Sequence, residues 1–136
     1  REALSEVRQV IRDLELEQNV TLDTEFLPIE EVRSRLSRAD IAVLPYDESD
    51  EGGSASAVTC FESRLPLIVT KAQIFHEIRD YSVQLENNYP ESIADSIGAI
   101  LRDPEKYDSL VEKMSEYTRI ASWENVTDRY IDILHR

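Results

Sequence analysis

The chain has 136 residues, a formal net charge of -13, a hydrophobic share of 41% and a charged share of 32%. It is expected to fold as one soluble domain over 1–136 that buries roughly two-thirds of its unfolded surface. The acidic balance disfavours nucleic acid and anionic membrane as partners, because both need a basic face. No apolar run approaches the roughly 20 residues that cross a bilayer, so no transmembrane segment is expected. Arg1 in place of an initiator Met is expected of an excised fragment or a processed product. The single cysteine, Cys60, excludes an internal disulfide and fits a reducing compartment, which points to the cytoplasm.

Over residues 1–16, Leu4, Val7, Val10, Ile11 and Leu14 recur at helical spacing and predict an amphipathic helix. Gln18 and Asn19 break it. Val20, Leu22 and Phe26 then alternate with polar residues, which predicts an edge strand over 20–26. Pro28 opens a second helix with Ile29, Val32 and Leu36 as its buried stripe. The continuous apolar run Ile41–Leu44 reads as an inner parallel strand over 41–45, and Pro66–Thr70 reads the same way. A small-residue helix over about 55–64 joins the two as a strand-helix-strand unit. Residues 74–78 read as one helical turn and 83–85 as a second edge strand. From Pro90 onward the pattern is helical. Ile93, Ile97, Ile100 and Leu101 form one stripe, Pro104 stops that helix or starts the next, and Tyr107, Leu110, Val111 and Met114 continue the pattern. A last helix runs from Trp123 to Leu134. The fold class is therefore α/β: an open, mainly parallel sheet of about four strands, with helices on both faces and a helical C-terminal segment.

Between the run ending at Leu44 and the small-residue helix lies a loop with Asp47, Glu48, Asp50 and Glu51, followed by Gly52 and Gly53. Strand, loop and helix start in this order suit phosphate binding, since free backbone N–H groups and the helix dipole face the loop. The carboxylates oppose it. At ~8 Å and an effective dielectric near 20, each costs about 2 kcal/mol against a phosphate charge. The acids must then point outward, or a cation must intervene; the plainer reading is a solvated acidic loop. Asp47, Ser49, Glu51 and Gly52 mimic half of a calcium loop, but Val58 stands where its bidentate Glu belongs.

Four stretches carry a resemblance to a known family. They are NVTLDTEFLPIEEVRSRLSRADIAVLPY, RLPLIVT, IFHEI and ASWENVTDRYIDIL. In this order and spacing, the chain resembles the C-terminal, nucleotide-sugar-binding half of the group 1 retaining glycosyltransferases of GT-B architecture, whose domains are Rossmann-like. The family signature is a spaced pair of glutamates, the first by the donor sugar and the second on the ribose diol. Glu62 matches the second, while Ser54 stands where the first belongs. Glu51 could replace it only if the loop bends back. The resemblance assigns the backbone of Ser54, Ser56, Ala57 and Val58 to sugar and diphosphate and Glu62 to ribose, with Glu51, Gly53, Lys71 and His76 as weaker candidates. It implies a nucleotide diphospho-sugar donor and transfer with retention; no cofactor is expected, and no metal, since the sequence offers no cluster of metal ligands.

The family domain begins with two further strand-helix units, which carry a Gly-rich turn and a basic pair, and this chain starts after them. The fragment is therefore expected to be inactive alone. It lacks its N-terminal acceptor domain, through which it could reach the inner membrane face. The absent strands belong between 20–26 and 41–45, so these two are expected to pair directly, to borrow a strand from another chain (a second copy in a homo-oligomer), or to leave the fragment poorly folded. Each candidate residue also has a plainer role. Ser54 and Ser56 suit helix caps, Glu62 a local ion pair near Arg64, Cys60 buried packing, His76 a structural position, and Trp123 a core or interdomain anchor. The acidic loop, Ser54 at the first-glutamate position and the missing basic pair keep a rival function open: a GT-B-like interaction or scaffold module without catalysis.

Overall fold

The computed structural model describes residues 2–47 and 52–135. Its sheet has three parallel strands in the order β1-β2-β3, formed by Ala42–Leu44, Leu67–Val69 and Val83–Gln84. β2 is central and fully buried. Its alternation splits the core: Leu67 and Val69 face a cluster with Ala57, Phe61, Phe75 and Met114, while Ile68 faces one with Leu85, Ile100 and Leu110.

The helices follow their capping and periodicity. Before the sheet come α1 (Glu2–Asp13) and α2 (Ile29–Leu36). α3 (Ala55–Glu62) joins β1 to β2, and its first turn is capped by Ser54. A 3₁₀ helix, Gln73–Tyr81, leads into β3 and inserts Ile74, Phe75 and Ile78 into the first cluster. α4 (Pro90–Leu101) and α5 (Pro104–Ile120) each start on a proline, so Pro104 begins a helix. α5 links the two clusters, with Leu110 in one and Met114 in the other. α6 (Trp123–Leu134) closes the chain.

Three expectations are corrected. Residues 20–26 form no strand, so among the described residues the sheet has three strands where about four are expected. Asp23 explains part of this: its carboxylate accepts the Glu25 N–H at 3.3 Å and pairs with Arg35 of α2, which gives the segment local partners in place of a ladder. Secondly, the direct pairing of 20–26 with 41–45 is not made. An apolar groove of about 550 Å³ lies between Phe26, Leu27 and α2 on one side and β1 and α3 on the other. β1 is therefore an edge strand, and its residues are half-buried despite their continuous apolar run. Thirdly, the α2 stripe reaches no full burial, and Leu101 of α4 is 57% exposed. Among the described residues no helix is long and apolar enough to cross a membrane.

Candidate functional site

The α3 N-terminus sits just past the carboxyl end of β1. The Ser54 Oγ accepts the Ala57 N–H at 3.2 Å and the Ser54 carbonyl accepts the Val58 N–H, also at 3.2 Å. Among the described residues the N–H groups of Ala55 and Ser56 have no partner. These are the donors that a helix start leaves for a ligand. Small residues keep the approach open, and a Cβ added at Gly53 would meet nothing within 4 Å. A cavity of about 170 Å³ opens here, lined by Gly53, Ser54, Ala57 and Val58 with Ile74, Glu77 and Tyr117. Ser56 turns away from it and lines the groove beside β1. Glu51 and the acidic residues Glu48 and Asp50, together with Ser49, lie outside the described residues.

Glu62 ends α3, two turns beyond the cap. Its Oε2 accepts from the Arg33 Nη2 of α2 at 2.9 Å, so its ion-pair partner is Arg33 and not the neighbouring Arg64. Arg33 is also 3.4 Å from Glu30. The Glu62 hydrogen bond, ahead of its charge, raises the Arg33 pKa. Arg64 instead takes a positive φ of 54° and turns the chain toward β2. On its other flank Glu62 lines a groove of about 370 Å³ with Val58, Phe61, Tyr117, Trp123 and Glu124. Trp123 is 83% exposed there and is no core residue.

The remaining candidates are not brought to the same place. Lys71 follows β2 and pairs with Glu86 at 2.8 Å, an extension of the β2-β3 register by two residues. That hydrogen bond holds the Glu86 carboxylate below its usual pKa. The pair lines a separate polar cavity of about 190 Å³ with Asp47, Thr70 and Asn88. His76 is exposed and lies outside these cavities. Its neighbour Glu77, which sequence reasoning passed over, is the one that faces the α3 N-terminus. Burial first, and the Glu77 charge second, push the Tyr117 phenol up. The quoted IFHEI turn was the available signal, because a 3₁₀ helix places adjacent residues on different faces. Cys60 is buried packing, and burial pushes its thiol up to about 11. Among the described residues no group of three or more His, Cys, Asp or Glu could hold a metal ion.

The crystal structure of the C-terminal domain of a glycosyl transferase group 1 family protein (LpcC) from Francisella tularensis is similar in fold, with a TM-score of 0.75 and 18% identity. The match covers 88% of this chain and 62% of that one, so the chain spans less than two-thirds of the domain it matches. Comparison with curated proteins gave no match. The family model for glycosyl transferases group 1 matches residues 2–119, and the chain belongs to that family.

Proposed function

We propose that the chain is the donor-binding half of a group 1 glycosyl transferase, one that takes a nucleotide diphospho-sugar and presents it for hexosyl transfer with retention. One observation carries this reading: among the described residues the N–H groups of Ala55 and Ser56 have no partner, and they lie at the helix start that follows β1 in the chain. Open α/β sheets take ligands at that end, and helix starts take phosphate. Family membership supports the class of donor. Glu62 follows ~12 Å along the same helix, a span that seats a diphosphate at one end and a ribose at the other. The amides of 54–58 would hold sugar and diphosphate, and Glu62 the ribose diol. The leaving phosphate would assist the acceptor, so the chain needs no general base of its own.

Glu77 lines the cavity at the α3 start and opposes a phosphate charge there. Basic residues on further strand-helix units of the full-length protein would offset it, and strands from those units or from a second copy would cover the β1 edge. An N-terminal domain would bind the acceptor, the 1–136 chain alone would be silent, and the cytoplasm is the proposed compartment.

A second reading, a GT-B-like interaction module without catalysis, is favoured by a separate observation. Ser54, Glu62 and Lys71 each already have a partner inside the chain. Calorimetric titration of the full-length protein with uridine, guanosine and adenosine diphospho-sugars separates the two. The donor reading expects heat with one of them and a Glu62→Ala loss of about 10–100-fold, the value of a hydrogen bond to a charged group. Silence toward all three leaves the interaction module.

A further inference from the structure

Glu62 and Arg33 lie 29 residues apart in sequence and on different helices, yet their side chains meet at 2.9 Å. α2 is fixed from below by Leu36, which packs against the first core cluster, and Arg33 is further steadied by Glu30. The contact is one-sided. Arg33 engages only Oε2, and among the described residues the Glu62 Oε1 has no partner. Both side chains remain close to half-exposed, at 46% and 43%.

We propose that Arg33 is the positioning residue that makes Glu62 selective for a ribose; this rests on the donor reading above. A carboxylate that receives a vicinal diol must hold both oxygens toward it. One N–H from Arg33 occupies a single lone pair of Oε2, and leaves the second lone pair of Oε2 and both of Oε1 for two hydroxyl donors. Arg33 also pairs the Glu62 charge, so that the ligand meets a paired carboxylate there instead of a bare one. A free glutamate at a helix end would sample many rotamers, and the Arg33 contact favours one of them. The ligand class is a ribonucleoside diphosphate, recognised by its 2′ and 3′ hydroxyls.

The test uses the full-length protein and measures, by calorimetry, the affinity ratio between uridine, guanosine or adenosine diphosphate and its 2′,3′-dideoxy counterpart. The wild type is expected to favour the ribose form by about 10–100-fold. Arg33→Ala should shrink that ratio by about five-fold, the upper end for an exposed pair. Arg33→Lys should restore part of it, since the charge returns without the planar fork. Melting curves of each variant check that all are folded. A ratio unchanged in Arg33→Ala but lost in Glu62→Ala overturns the role of Arg33 and leaves the donor reading standing. A ratio that is near unity in the wild type, or an absence of binding, overturns both.

Discussion

The segment from Ala57 to Met114 and the segment from Ala3 to Asp47 have similar apolar patterning and opposite fates. The first contains every fully buried residue described, arranged on both faces of β2. The second contains none: Val7 and Val10 of α1 and Leu14 just after it are about half-exposed and Phe26 is 99% exposed. Periodicity decides whether a stretch can present an apolar face. Burial depends on whether another element stands opposite, and only the second half of the chain supplies one. α3 sits at the junction, which places the candidate site where the packed half meets the unpacked half.

The sharpest way to break this contrast is a pair of alanine substitutions. Phe75→Ala removes a ring that is 1% exposed and stacked at 5.3 Å on Tyr46, and should cost about 3–5 kcal/mol in denaturant unfolding. Phe26→Ala should cost less than about 0.5 kcal/mol. Equal costs would mean that the first half packs as well as the second.

Alkaline titration probes the same core from within. Burial raises the Cys60 pKa from 9.0 to about 11, so the unfolded chain ionises first. Stability is full below pH 9, falls as the pH rises toward 11, and should lose about 2–3 kcal/mol over that window. Cys60→Ala should flatten the slope. If that variant keeps the slope, another group is responsible.

Smaller effects are expected at the junction. Ser54→Ala removes the α3 cap and should cost about 1 kcal/mol, read as a shift in melting temperature that Ser54→Asp largely avoids. The smallest effect belongs to the unpacked half. The Glu25 backbone hydrogen bond, then Arg35, holds the Asp23 carboxyl below its usual 3.8. Its contribution is present above that pH and is lost as the pH falls through the folded value. Asp23→Asn should therefore change the melting temperature slightly at pH 7 and not at all near pH 2.

Local signals in the sequence were legible wherever the cause is local. Pro90 and Pro104 open helices, Ser54 caps one, and the buried run 67–69 is a central strand. Errors arose where the deciding partner is remote. Alternation at 20–26 says nothing of whether a ladder exists, and the apolar run at 42–44 looks inner although it forms an edge. The candidate donor-site residues rest on the family resemblance and not on any local pattern. The Arg33–Glu62 contact was not readable at all, since no spacing rule links α2 to the end of α3. His76 and Glu77 are both exposed, and of the two Glu77 lines the cavity at the α3 start, which spacing alone does not separate.

In the proposed reading a nucleotide diphospho-sugar lies along α3, which amide-resolved hydrogen exchange on the full-length protein, with and without a saturating nucleotide diphospho-sugar, would report. Slowed exchange at residues 53–58 and at Glu62, with 90–101 unchanged, is the predicted result. Protection confined to other elements, with the α3 amides exchanging at the same rate in both samples, would contradict it.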